Sequence, residues 1–208
     1  MNRTSKRWMM EHISDPYVKK AQMEGYRSRA AYKLIEIDQK YHFLKKGMSV
    51  VDFGSSPGGW SQVVSNKIGE TGKVFAIDLL EMNPIKNVEF IRGDFTEQAV
   101  LDKLENKISN AGVDLVISDM APNISGIKAV DQAGAIYLNE LVLDFSSHWL
   151  KPKGHMVVKC FIGSDFDSFV GSLRLIFKKV IKIKPRASRD RSSEIFIVGY
   201  EKNDYATS

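Results

Sequence analysis

Three aspartates, Asp78, Asp94 and Asp119, each follow a short apolar run rich in β-branched residues, and a glycine-rich turn from Gly54 to Gly59 follows a fourth. In a sheet of parallel strands, ligands bind beyond the carboxyl ends, where glycine lets them approach the backbone and helix N-termini offer unpaired N–H groups. A carboxylate there can accept from both hydroxyls of a ribose. Asp78 lies 24 residues after Gly54, close to the ~20-residue offset at which such an acid is found. Asp94 can accept from an exocyclic amine such as that of adenine, and Asp119 faces the same crevice. Each acid alone reads as a helix cap or a surface charge, and the glycines alone as a tight turn. Together they point to a cofactor that carries a nucleoside. The glycines fall at 54, 58 and 59, which is not the dinucleotide spacing G-x-G-x-x-G, so a nicotinamide cofactor is disfavoured.

Lys159 is the fourth residue with chemical promise. It interrupts an otherwise apolar run, Met156 to Phe161, that reads as an inner strand, and a lysine is seldom buried without a partner. The expected partner is Asp119, at the end of the neighbouring strand.

The elements that must position these residues follow from the alternation of β-branched runs with helix-period stretches, which predicts an α/β fold. Strands are expected over 48–53, 73–77, 88–91, 113–118, 155–160, 180–183 and 194–200, about seven in a mostly parallel sheet with helices on both faces. Helices are expected over 60–68, from Thr96 through Leu104, over 133–150, and from a cap at Asp165 through Phe177. Lys151 to Gly154 reads as a turn. Ahead of this core, Ser28 is placed to cap a helix over 29–41, with Ala30, Leu34, Ile37 and Tyr41 at core spacing and Arg29, Lys33, Glu36 and Lys40 on the polar face. The whole is expected to be one domain over 1–208: a basic extension and helix over 1–47, and a core over 48–200.

Charge is unevenly placed. Residues 1–47 carry 11 Lys/Arg against 5 Asp/Glu, and 171–194 carry 8 against 2, whereas 48–170 carry 10 against 16. If the two basic ends meet in space they form the footprint of a nucleic-acid binder, the alternative being an ordinary solvated surface. The single Cys160 rules out an internal disulfide, and His12, His42, His148 and His155 are not at metal-ligand spacing, so no metal is expected. No apolar run reaches the ~18 residues needed to cross a bilayer, and the basic start has no apolar segment behind it. The expectation is a cytoplasmic chain with no membrane partner.

The stretch VVDFGSSPGGWSQ, followed by AIDLL, GDF and SDMAPNISG, resembles the FtsJ/RrmJ family of S-adenosylmethionine-dependent RNA ribose methylases. The similarity runs from about Arg7 to about Tyr200, with Ser55 and Ser56 standing where the family usually has small apolar residues. The resemblance implies a Rossmann-like methyltransferase fold, with S-adenosylmethionine held by Gly54, Pro57, Gly58, Gly59, Trp60, Asp78, Asp94 and Asp119. It also implies a catalytic Lys-Asp-Lys-Glu tetrad at Lys33, Asp119, Lys159 and Glu194. Without it, Lys33 reads as a solvated lysine and Glu194 as a strand-edge charge. The implied reaction is methylation of the 2′-hydroxyl of a uridine in large-subunit (23S) rRNA on the assembled subunit. Lys159 is then the central residue, either as base or as the group that aims the hydroxyl. The leaving group is a neutral thioether, so the chemistry needs no metal.

A 2′-hydroxyl acceptor makes the substrate RNA and not DNA, and Arg27, Arg29, Lys182, Lys184, Arg186, Arg189 and Arg191 are expected to grip its phosphates. Trp8, Tyr17 and Tyr26 are placed either to stack on bases or to pack the extension. A monomer is expected. Competing readings are methylation of tRNA or of an mRNA cap, and a non-enzymatic ribosome assembly factor with a vestigial pocket, against which the intact tetrad argues.

Overall fold

The computed structural model describes residues 14–108, 111–122, 125–189 and 191–204. Seven strands form one sheet in the order β3-β2-β1-β4-β5-β7-β6: β1 Ser49–Phe53, β2 Lys73–Asp78, β3 Val88–Arg92, β4 Val113–Ser118, β5 Leu150–Phe161, β6 Phe177–Ile183 and β7 Glu194–Lys202. The first five pair in parallel, while β7 runs antiparallel between β5 and β6. The chain steps outward from β1 to β3, then returns to the other side of β1 with β4. That reversal sets a crevice between the carboxyl ends of β1 and β4.

Among the described residues six helices cover the two faces: α1 Pro16–Glu24, α2 Ala31–Tyr41, α3 Gly59–Ile68, α4 Gln98–Ile108, α5 Lys128–Trp149 and α6 Phe166–Ile176. Because strand side chains alternate between faces, each inner strand feeds both cores. Val50, Leu115, Ile117, Val157, Phe196 and Val198 pack under α2 and α3. Val51, Val116, Met156, Val158 and Ile197 pack under α4, α5 and α6.

Several local expectations change. The basic extension contains α1, capped by Asp15, whose side chain accepts from the Tyr17 N–H at 2.9 Å. Ser28 does not cap α2. Its hydroxyl sits where a Cβ on Gly59 would lie, 2.2 Å away, and the chain enters α2 through i→i−3 turns over 28–33. Helix α5 begins at Lys128, five residues earlier than its apolar spacing indicates. Lys151 to Gly154 is not a turn between elements but an irregularity inside β5, where the register against β4 shifts and Lys153 takes φ 64°. Phe177 opens β6 instead of closing α6.

Candidate active site

Parity along three strands brings the tetrad to one face. Asp119 continues the alternation of Leu115 and Ile117, Lys159 that of Val157, and Glu194 that of Phe196 and Val198, all on the side packed by α2. Register supplies the rest: Lys159 lies opposite Phe196, and Phe161 opposite Glu194. From above, α2 contributes Lys33. Its Nζ donates to Glu194 Oε2 at 2.8 Å and lies 3.9 Å from Asp119 Oδ1. Lys159 Nζ donates to the main-chain oxygen of Asp119 at 2.6 Å and lies 3.2 Å from its Oδ1. The four residues form one chain of alternating charge, their side chains between 10% and 17% exposed.

Asp119 Oδ1 is buried between two ammonium groups yet makes no hydrogen bond of good geometry. An acceptor left in that state marks where a further donor belongs, because a buried oxygen without a partner is costly. Glu194 is satisfied at both oxygens, since Ser188 Oγ donates to Oε1 at 2.8 Å. Burial pushes its carboxyl up, but Lys33, Ser188 and Lys159 together outweigh burial and hold it below the usual carboxylate range.

Beside the tetrad opens a cleft of about 440 Å³ lined by Gly54, Ser56, Asp78, Asp94, Asp119 and Tyr137, with Ile77, Phe95, Met120 and Leu138 as apolar walls. That volume lies in the ~300–1,000 Å³ range of small-molecule sites. The three acids expected at strand ends do meet here. Asp78 also organises the turn after β1: its Oδ2 accepts the Ser56 N–H and its Oδ1 the Leu80 N–H, each at 2.8 Å. Asp94 Oδ1 accepts both the N–H and the hydroxyl of Thr96, at 2.9 and 2.7 Å. Gly54 has φ 73°, and a Cβ there would meet Met120 Cγ at 2.3 Å. Glycine is what lets the turn after β1 touch the loop after β4.

Pro57, Gly58, Gly59 and Trp60 lie outside the lining of this cleft. Trp60 is buried, with its indole donating to Ala30 O at 2.8 Å and its ring 5.7 Å from that of Phe196. Its side chain therefore fastens α3 to α2, and only its backbone is left to face a ligand. The first N–H groups of α3 have no intrahelical partner and start where this turn ends.

The residues expected to grip phosphate divide into two groups. Arg27 donates to the carbonyls of Pro57, Asn83 and Pro84 at 3.3, 2.6 and 2.7 Å, so it braces the glycine turn. Arg29 is paired with Asp15 and donates to Ala187 O, with its side chain 16% exposed. Both spend their guanidinium donors on the protein's own groups, Arg27 at the surface and Arg29 mostly buried, where the sequence suggested phosphate contacts. Lys182, Lys184, Arg186 and Arg191 are exposed, and Arg189 is partly so. Among these Lys182 lies 3.2 Å from Asp167, Lys184 donates to Ser192 O at 2.8 Å, and Arg189 approaches Asp15 at 3.9 Å. Tyr17 and Tyr26 pack on Tyr32, with ring centroids 5.6 and 5.5 Å away. Trp8 and His12 lie outside the described residues.

Sequence reasoning missed Asp52. It is fully buried in β1, with Oδ2 accepting from Ser61 Oγ at 2.6 Å and Oδ1 without a partner. Burial pushes its carboxyl up to about 7, and Asp119 and Asp78 push in the same direction. The available signal was an acid within an apolar run at the parity of Val50. Among the described residues no group of three or more His, Cys, Asp or Glu is arranged to hold a metal, and no helix is long and apolar enough to cross a membrane.

Comparison with known proteins identifies the family. The family model of the FtsJ-like methyltransferases matches residues 26–202. The ribosomal RNA large subunit methyltransferase E of Methylobacillus flagellatus is 55% identical over 201 residues, 97% of each chain. Its namesake in an Azoarcus species is 52% identical over 96% of this chain and 98% of that one. A Plasmodium falciparum crystal structure described as a ribosomal RNA methyltransferase superposes with a TM-score of 0.75 at 33% identity, covering 85% of this chain and 98% of that one.

Proposed function

The chain belongs to the FtsJ-like methyltransferase family, and from that premise we propose that it methylates a ribose 2′-hydroxyl of large-subunit ribosomal RNA, with S-adenosylmethionine as donor. Relatives more than half identical over nearly the whole length are named for large-subunit ribosomal RNA. The observation that carries the reaction is the orphaned Asp119 Oδ1, set between Lys159 and Lys33 on the edge of a cleft suited to a nucleoside.

The cleft fits S-adenosylmethionine in its chemistry. Asp78 keeps lone pairs for ribose hydroxyls, Asp94 has a second carboxyl oxygen for an amine, and the apolar walls suit a purine. The unpaired N–H groups opening α3 suit a carboxylate. When bound, the donor supplies a methyl group on a sulfonium, which leaves a neutral thioether. This chain's part is to aim a hydroxyl. Lys159 directs its ammonium at the carbonyl and carboxyl oxygens of Asp119. A lysine has three donors, and only the main-chain carbonyl of Asp119 takes one in a formed hydrogen bond, so an N–H is available to fix the lone pair of the acceptor hydroxyl. Asp119 Oδ1 can take that hydroxyl's proton in a hydrogen bond. Lys33 and Glu194 hold the charge of the pair in place. Fixing the reacting oxygen in this way replaces a bimolecular search with an oriented attack.

Lys182, Lys184, Arg186, Arg189 and Arg191, on β6 and the loop before β7, form the candidate RNA surface. The loop adjoins Glu194, so phosphates held there would pass beside the tetrad. The test is to incubate the protein with labelled S-adenosylmethionine and large ribosomal subunits, free rRNA, tRNA or capped RNA, and map the label. Alkali-resistant label in large-subunit rRNA is expected. Label only in tRNA or in a cap would move the substrate, and none in any RNA would overturn the reaction.

A further inference from the structure

We infer that Ser188 is a positioning residue of the catalytic tetrad, holding Glu194 through Oε1 so that Oε2 is left for Lys33. The inference rests on the tetrad reading given above. Ser188 is 5% exposed, and its hydroxyl donates to Glu194 at 2.8 Å. A carboxylate with one partnered and one bare oxygen can rotate to offer both oxygens to one ammonium. With Ser188 on Oε1 it cannot, and Lys33 Nζ stays between Glu194 Oε2 at 2.8 Å and Asp119 Oδ1 at 3.9 Å.

The loop that carries Ser188 is anchored to deliver it. Glu36 on α2, one turn beyond Lys33, accepts the N–H groups of Arg186 and Ala187 at 2.6 and 3.1 Å. Ala187 is fully buried against Ala21 of α1 and Tyr32 of α2, and its carbonyl accepts from Arg29. The Ser188 N–H closes a turn onto Pro185 O at 2.9 Å. The loop is therefore held by α1 and α2 together. This gives the N-terminal segment a task in setting the tetrad, beyond any contact with substrate.

The groups facing Glu194 are Lys33 from α2, Lys159 from β5 and Ser188 from the loop, with Asp119 beyond the two lysines. Removing the Ser188 hydroxyl takes away one of the interactions that favour the ionised carboxylate, so Glu194 should titrate at higher pH.

The experiment compares wild type, Ser188→Ala and Ser188→Thr by 13C NMR titration of glutamate carboxyls, with Glu194→Gln to assign the signal, and by steady-state kinetics. For Ser188→Ala the Glu194 midpoint is expected to rise, and the acid limb of kcat to move up with it. On the acid limb, below both midpoints, kcat should fall about tenfold, as for a rise of about one unit on loss of one hydrogen bond to a charged group, and should approach wild type near neutral pH, with KM for RNA and cofactor affinity unchanged. Ser188→Thr, which keeps the hydroxyl, should restore the midpoint. An unshifted midpoint in Ser188→Ala would overturn the inference, and so would a fall in kcat with the pH profile unmoved. If wild type transfers no methyl group while the midpoint still shifts, the proposed reaction fails and the Ser188 tie stands.

Discussion

Lys159 and Asp119 meet twice: the ammonium donates to the main-chain carbonyl of Asp119 at 2.6 Å and stands 3.2 Å from its carboxyl oxygen. The main-chain contact does not depend on the aspartate side chain. Lys159 should therefore keep its place when Asp119 is shortened, but Asp119 loses its aimed cation when Lys159 is removed.

Lys159→Ala should lower kcat by about 10²–10⁴-fold, the size of effect tied to a positioned proton-handling group. Cofactor affinity should be unchanged, because Lys159 does not line the cleft. Single-turnover transfer and equilibrium cofactor binding check the two halves separately. Near-normal turnover would remove Lys159 from the reaction. Asp119→Ala, by contrast, should affect both, because Asp119 belongs to the tetrad and also lines the cleft.

What the sequence made legible was the ladder of strands and the acids at their ends, because each is local: an apolar run followed by a carboxylate. Lys159 was legible for the same reason, as a charge inside an apolar run. Lys33, Glu194 and Asp52 were not, except through family resemblance for the first two. Their surroundings are set by parity across three strands and by a loop that folds over α2 from 150 or more residues away. Arg29 in the turn leading into α2, and Lys33 and Glu36 on the face of α2 that reads as solvated, are tied to that loop or to Glu194 just after it. This is also why Arg29 is a structural tie and not an open phosphate contact. Helix α1 escaped because its apolar face is small, Val18 and Ala21, and its start is fixed by Asp15 and Pro16.

Asp78 has two duties that meet in one carboxylate. Its carboxylate shapes the turn through the Ser56 and Leu80 N–H groups and lines the cleft. Asp78→Asn keeps the size and one acceptor oxygen but removes the charge and sets an NH2 group against one of those donors. Loss of a charge-assisted bond costs about 1.5–3 kcal/mol, so cofactor affinity should fall roughly 10- to 100-fold, with kcat at saturating cofactor little changed. Isothermal titration with S-adenosylmethionine measures the first, and unaltered affinity would take Asp78 out of the cofactor site.

Arg186 and Arg29 should fail differently. Arg186 has an exposed side chain, and only its backbone N–H is tied, to Glu36. Arg186→Ala should weaken RNA binding and reduce the slope of log K against log salt by about 1, the signature of one phosphate contact, with no change in Tm. Arg29→Ala removes a mostly buried ion pair with Asp15 and a bond to Ala187 O. It should cost about 2 kcal/mol of stability and lower Tm. A salt slope that is flat for wild type, or the same Tm for both variants, would contradict this division.

Asp52 makes the fold itself sensitive to pH. Its carboxyl is fully buried, and burial raises its titration from 3.8 to about 7. The native state then holds the proton more tightly than the unfolded chain. Stability is greatest below about pH 4 on this account and falls as pH rises toward 7, where the buried group must ionise. Asp52→Asn keeps an acceptor for Ser61 Oγ and removes the ionisation. The variant should match wild type near pH 4 and exceed it near pH 8 by on the order of 2–4 kcal/mol. Urea unfolding of both proteins across that range isolates the effect, since every other titrating group cancels in the difference. If the two curves run parallel, the carboxyl at 52 ionises at the same pH in folded and unfolded chains, and its orphaned oxygen must be hydrated in the native state.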